Sequence, residues 1–420
     1  MPKIDPIYVG RDAIGQFLAY IDAHQLRRFI LVADTNTYRA LGERVAAALQ
    51  EHGCELSTIV LDGENIHADE HQLTRVFVQA PLGDYTFLAV GSGTITDITR
   101  FVSHRSGRSF IGLPTAPSVD GFTSMGAPII LGGVKITLNC QAPLAVFADL
   151  ETLCQAPQRL LAAGFGDMIG KYSSLADWAL GTLVWEEPYD AGIARRTRAA
   201  IDSVEQNVDA IGQKDEAGVR ALMEALIESG LCMLDLGNSR PASGAEHHAS
   251  HYWEMQRLKD HRETALHGAQ VGVGLTLSAA QWTTVRELSR AEVMNRLEAA
   301  ALPDRESEMA HIREGYGDMA EDIARDHLAF LDLTEAGFDQ VKRRIADGWE
   351  QIQAIAAQVP APETVRASLQ KVGGPATWAE LKLEAEEVQP GMEYGHYLRD
   401  RFTIMKLSRI LGVPLGAPAE

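Results

Sequence analysis

A parallel α/β region followed by a mostly α-helical one is the fold class this sequence predicts, and three observations predict it. Short continuous apolar runs alternate with helical spacing over the first 150 residues, as in a parallel sheet covered on both faces. Beyond Asp149 few alternating or β-branched runs remain, and 3.6-residue spacing dominates. At 420 residues the chain exceeds the ~250–300 at which one hydrophobic core stops growing. We therefore expect two domains, at residues 1–152 and 153–420.

The elements can be justified in order. Phe29-Ile30-Leu31-Val32-Ala33 reads as a doubly covered strand ending at Asp34-Thr35-Asn36, with a helix following from about Tyr38 to His52. Thr86-Phe87-Leu88-Ala89-Val90 runs into Gly91-Ser92-Gly93-Thr94-Ile95-Thr96-Asp97 and then an apolar-periodic segment: strand, glycine turn, helix. Phe110-Ile111-Gly112-Leu113 is a third strand, closed by Pro114-Thr115-Ala116-Pro117-Ser118, whose prolines cannot continue a ladder. Leu144-Ala145-Val146-Phe147-Ala148 is the last strand. Pro157 suits a first helical turn, residues 158–181 are helical, and most of 190–355 follows. Val359-Pro360-Ala361-Pro362 breaks the pattern before a final helical subregion, and Pro414 to Glu420 reads as a loose tail.

Composition narrows the function classes. With 46% hydrophobic and 23% charged residues the chain matches an ordinary globular protein. A formal charge of −19 without any Lys/Arg run argues against nucleic acid as a partner. Cys54, Cys140, Cys154 and Cys232 lack CxxC spacing and read as reduced thiols of a cytoplasmic protein. The first residues, Met1-Pro2-Lys3-Ile4-Asp5-Pro6, do not resemble a signal peptide, and membrane insertion is not expected because no stretch of about 20 apolar residues occurs.

Two segments carry candidate chemistry. In the glycine turn, Gly91 and Gly93 permit close backbone approach beside helix N–H groups, which suits a dinucleotide pyrophosphate and a plain tight turn alike. Thr96 stands where a full dinucleotide fingerprint has its third glycine. Asp34 and Asn36 could bond a ribose or cap a helix, and a carboxylate at Asp34 would favour NAD(H) over NADP(H).

In the helical half, Asp167 lies within Leu160-Leu161-Ala162-Ala163-Gly164-Phe165-Gly166-Asp167-Met168-Ile169-Gly170-Lys171. It could pair with Lys171 one turn on. The three glycines, costing a helix of order 1 kcal/mol each, suggest instead a close approach to that backbone. Ser243-Gly244-Ala245-Glu246 fits a capping box that starts a helix at Ser243. His247 and His251 then share a face and His248 points elsewhere; with His248 where a zinc protease has its Glu, hydrolysis is discounted. His267 begins another helix-like stretch. Asp167, His247 and His267 together offer one carboxylate and two imidazoles, a set suited to a divalent catalytic ion.

Gly91 through Asp97, Pro114-Thr115-Ala116-Pro117-Ser118-Val119-Asp120-Gly121, Arg159 through Asp167, Ser243 through His248 and His267-Gly268 resemble, in that order, the motifs of glycerol-1-phosphate dehydrogenases. Within that family the likeness is to the bacterial AraM-like branch, and it covers roughly residues 10–285. The resemblance implies the fold of the iron-type alcohol dehydrogenase and dehydroquinate synthase-like superfamily. It also implies metal-dependent, NAD(P)H-linked, reversible reduction of dihydroxyacetone phosphate to sn-glycerol 1-phosphate, as in phospholipid metabolism. A glycerol dehydrogenase, another polyol or sugar-phosphate dehydrogenase, or a cyclase of the same fold is the alternative.

By the same resemblance Gly93, Thr94, Ile95, Thr96 and Asp97, with Thr115, Ala116, Pro117 and Ser118, would line the cofactor site. Ser124 would lie nearby and Asp34 or Asn36 at the adenosine end. Asp120 would contact the small phosphorylated ketone or polyol. Asp167, His247 and His267 would hold one zinc, nickel or iron ion, with Asp167 counted as catalytic alongside Asp120 and His251, the last reaching the substrate. Lys171 is a candidate for the phosphate, and a homodimer is expected. Ser92 and Thr94 stand where many relatives carry glycine and lysine or arginine, which bears on coenzyme preference. Residues after about 290 match no motif.

Overall fold

The computed structural model describes residues 3–63, 66–132 and 134–415. Residues 416–420 of the expected tail, and Met1-Pro2, lie outside the described residues. Contacts divide the chain into two compact units. One comprises Met1–Met168, Asp202–Asn238 and Lys371–Gly373, and the other Ile169–Ile201, Ser239–Gln370 and Gly374–Glu420. The sequence reading expects one cut at 152/153; the division by contacts is discontinuous and passes through the helix Gln158–Trp185. Long-range pairs explain the discontinuity. Gln158 Nε2 donates to the Val372 carbonyl (2.7 Å), and a Cβ on Gly212 would meet the Lys371 carbonyl oxygen at 2.3 Å. Residues 371–373 thus belong with helices more than 150 positions away.

The first unit holds a six-stranded sheet in the order β1-β8-β5-β4-β2-β3, all pairs parallel. The strands are β1 (Ile7–Gly10), β2 (Arg28–Asp34), β3 (Glu55–Leu61), β4 (Thr86–Gly91), β5 (Phe110–Pro114) and β8 (Val146–Asp149). A separate antiparallel hairpin joins β6 (Gly126–Leu131) to β7 (Val134–Asn139). The apolar runs behave as parallel strands buried on both faces should. Phe29, Leu31 and Ala33 of β2 pack in one core cluster with Leu88 and Val90 of β4. Ile30 and Val32 pack in the other with Phe87 and Ala89. Period-two alternation sends successive residues of one run to opposite layers.

This sheet order has a consequence for ligands. From β2 the chain moves outward to β3, whereas from β4 it moves the other way to β5, so β2 and β4 are neighbours whose connections diverge. The crevice outside the carboxyl ends of such a pair is where open α/β sheets bind ligands. Asp34 ends β2 and Gly91 ends β4.

The second unit is helical, and no strand follows Asp149 among the described residues. Trp253, Trp282 and Trp349 are fully buried in it. Its helices Ala245–Lys259 and His267–Glu287 pack closely because Gly274 removes the side chain between them. A Cβ there would meet the Glu246 carbonyl oxygen at 2.5 Å. No helix of the described residues is long and apolar enough to cross a membrane.

Candidate active site

The helix Gly93–Arg105 starts directly after β4, with Ser92 as its extended N-cap and no side chain on its first N–H groups. The first turn of a helix leaves its amides without intrahelical partners and carries the positive end of the dipole, and Gly93, Thr94 and Ile95 form that turn here. Packing alone already demands both glycines. A Cβ on Gly91 would meet Ile95 Cβ at 2.5 Å, and one on Gly93 would meet Val119 Cγ2 at 2.9 Å. Thr96 spends its hydroxyl on the Ser92 carbonyl (2.9 Å). Asp97 pairs with the fully buried Arg100 (2.8 Å). Burial pushes its carboxyl up to about 7, with Arg100 pulling the other way.

Arg100 fastens the next loop. Its guanidinium donates to the carbonyls of Gly121 (2.5 Å), Phe122 (3.3 Å) and Gly126 (2.8 Å). The Thr115 amide donates to the Gly91 carbonyl (3.2 Å), which holds the loop after β5 against the turn after β4. Thr115, Ala116 and Ser118 are buried, and Ser124 bonds the Gly121 carbonyl (3.2 Å).

Two of the three glycines near Asp167 admit a close neighbour. A Cβ on Gly164 would sit 1.9 Å from the Pro117 carbonyl oxygen, so the loop lies on the bare helix backbone there. At Gly170 the approaching atom is Val271 Cγ1, 2.5 Å from a Cβ. The Asp167 carboxylate accepts from the Asp120 amide (3.0 Å), and the Asp120 carboxylate accepts from the Ser229 hydroxyl (2.8 Å).

Asp34 acts as a helix cap. Its Oδ1 accepts from the amides of Asn36 (2.8 Å) and Thr37 (2.9 Å), while Thr37 Oγ1 accepts from the Asp34 amide (2.9 Å). That cap uses one of the two carboxylate oxygens.

The expected start of the histidine helix needs correction. The helix begins at Ala245 with Gly244 as N-cap, and Ser243 caps nothing. Glu246 bonds the Gly244 amide (2.8 Å) rather than completing a box with Ser243. The first turn is capped from a distance: Asp177 Oδ2 accepts from the Ala245 amide (2.7 Å) and its Oδ1 from the Ile404 amide (2.7 Å). A carboxylate 68 positions upstream leaves no local signature.

From that helix His247 and His251 stand one turn apart with ring centroids 5.9 Å from each other, and His267 at the start of its own helix lies 5.3 Å from each. His248 faces another way and is fully buried, where burial and then the charges of Arg401 and Lys406 hold its imidazole far below the ordinary range. Asp167, His247 and His267 each offer one ligand atom, and these atoms all lie within 4.8 Å of one another. Ligand atoms bonded to one ion at ~2.0–2.2 Å are themselves about 3–4 Å apart, so the set needs little closure to fit a divalent cation. His251, Glu254 and His267 form a second such group, in which His251 Nδ1 lies 3.9 Å from the Glu254 carboxylate. Lys171, the residue weighed for phosphate, is fully buried.

Sequence reasoning missed Ser229, Asp177 and the bond from Glu246 to His247. The first two lie far along the chain from what they hold. Glu246 stood in plain view, but the capping pattern accounted for it.

Comparison with known proteins supplies independent findings. Residues 8–157 match the family model described as iron-containing alcohol dehydrogenase. The chain is 36% identical over 408 residues to a glycerol-1-phosphate dehydrogenase [NAD(P)+] of Geobacillus thermodenitrificans, covering 96% of this chain and 92% of that one. It is 37% identical over 406 residues to the enzyme of the same name from Halalkalibacterium halodurans, covering 96% and 92%. Among solved structures, glycerol dehydrogenase from Schizosaccharomyces pombe superposes with a TM-score of 0.62 at 16% identity, over 97% of this chain and 88% of that one, a likeness of fold.

Proposed function

This chain belongs to the glycerol-1-phosphate dehydrogenase family, and from that premise we propose that it is an oxidoreductase reducing dihydroxyacetone phosphate to sn-glycerol 1-phosphate with NAD(P)H. The observation that carries the metal-dependent form of this reading is the convergence of one carboxylate and two imidazoles within 4.8 Å. A mixed set of this kind suits zinc, nickel or iron and leaves positions open for substrate. When bound, the cation supplies electrophilic polarisation of the substrate carbonyl, and the nicotinamide supplies hydride.

The chain's own residues do the rest. The amides of Gly93, Thr94 and Ile95 hold the pyrophosphate, and the loop Thr115–Ser118, with Ser124 nearby, lines the cofactor site. Asp34 or Asn36 meets the adenosine ribose at the end of β2. Asp120, fixed by Ser229, orients the substrate, and its amide steadies Asp167. His251 delivers the proton to the product oxygen. The native oligomer is a homodimer and the compartment the cytoplasm.

The test is oxidation of NADH and NADPH with dihydroxyacetone phosphate or dihydroxyacetone, before and after chelation, with zinc, nickel and iron add-back. The reading expects activity on the phosphorylated ketone, its loss on chelation and its return with one of the metals. Equal activity on dihydroxyacetone would move the chain to glycerol dehydrogenation. No net consumption of reduced cofactor would remove the dehydrogenase reading.

A further inference from the structure

Glu246 is a carboxylate with no solvent exposure, beside the histidine read above as a ligand. Its Oε1 bonds His247 Nδ1 at 2.7 Å and accepts from the Gly244 amide at 2.8 Å. Its Oε2 is buried with no hydrogen-bond partner among the described residues. Burying a carboxylate so incompletely satisfied is costly, and such groups concentrate where function requires them. A helix start needs no buried charge from Glu246, since Asp177 already caps the Ala245 amide. The neighbouring helix abuts the backbone at this point, since a Cβ on Gly274 would lie 2.5 Å from the Glu246 carbonyl oxygen.

We propose that Glu246 is a positioning residue for the metal site, fixing His247 as the tautomer that donates from Nδ1 and presents the Nε2 lone pair to the cation. The inference rests on the assignment of His247 as a ligand. An imidazole with Nδ1–H committed to a carboxylate has one nitrogen left to ligate, and the carboxylate raises the basicity of that nitrogen. In an unassisted neutral imidazole the proton divides between two nitrogens, and the ring is free to rotate.

The experiment is a zinc affinity measurement on chelator-stripped full-length protein by competition with a chromophoric chelator. It compares wild type, Glu246→Ala, Glu246→Gln and His247→Ala, each checked by circular dichroism and thermal melting. Glu246→Ala should weaken zinc binding about 10–100-fold. Glu246→Gln, which keeps an acceptor and the side-chain volume but loses the charge, should fall between it and wild type. A role limited to the helix start would lower the melting temperature and leave zinc affinity unchanged, and that result in either folded variant overturns the proposal. If Glu246→Ala does not fold, Glu246→Gln decides by the same criterion. Undiminished zinc affinity in His247→Ala would show that the ligand assignment itself has failed, and Glu246 with it. Loss in His247→Ala beside wild-type affinity in Glu246→Gln would overturn only the positioning role.

Discussion

The turn at residues 91–97 and the helices at 245–287 prepare for chemistry in opposite ways. At the turn the groups proposed to work are backbone amides, and the side chains that matter to packing are the ones missing at Gly91 and Gly93. In the helices the groups proposed to work are side chains: Glu246 bonds the His247 ring, and Gly274 lets the two helices come into contact. A site made of backbone tolerates changes of side-chain chemistry and fails on added volume. One made of imidazoles and carboxylates fails when any member loses its ligating atom.

That contrast can be broken most directly at the metal set. Asp167→Asn or His267→Ala should reduce turnover by at least about 10²–10³-fold, the scale for removing one element of oxyanion stabilisation, while circular dichroism stays that of the wild type. Normal kcat in metal-stripped His267→Ala would end the metal-site reading.

At the turn, Gly93→Val adds bulk where a Cβ is already 2.9 Å from Val119 Cγ2. Losing one amide bond to a charged group should cost kcat/KM for NADH about 10–100-fold, read by steady-state kinetics and NADH fluorescence titration. Wild-type NADH affinity in the folded variant would show that the cofactor does not approach this backbone.

A smaller effect is expected at Asp34. Asparagine caps helices as well as aspartate does, so Asp34→Asn should preserve stability. Without the carboxylate that repels a 2′-phosphate, the ratio of kcat/KM for NADPH over NADH should rise several-fold. An unchanged ratio would leave Asp34 with the cap alone.

Smallest of all should be Thr94→Ala, which keeps the amide and changes only the side chain. Kinetic constants for the cofactor within about twofold of wild type, well under the ~1.4 kcal/mol that a tenfold change represents, are the expected result. A tenfold change would mean that the turn also reads the cofactor through side chains, and the contrast would weaken.

How much of this was legible beforehand varies with the range of the interaction. Strands β2, β4, β5 and β8 show as apolar runs because their residues fill cores on both faces. The edge strands β1 and β3 carry partly exposed residues and no such run, and the hairpin β6–β7 contains Pro128, which reads as a break. The helical spacing of His247 and His251 is a property of four consecutive peptide units, and it was visible. The role of Glu246 was hidden because one residue type at one offset fits two local patterns.

The amino-acid order by itself determined the α/β-then-helical plan, the glycine turn, and which acid and imidazoles are candidates for one ion, since each is written in spacings of a few residues. Only the tertiary structure decided which helix start Asp177 caps, that Pro117 lies on Gly164, that Ser229 holds Asp120, and where the compact units divide. Those choices join residues tens to hundreds of positions apart, and their partners are selected by close packing, which no local period encodes.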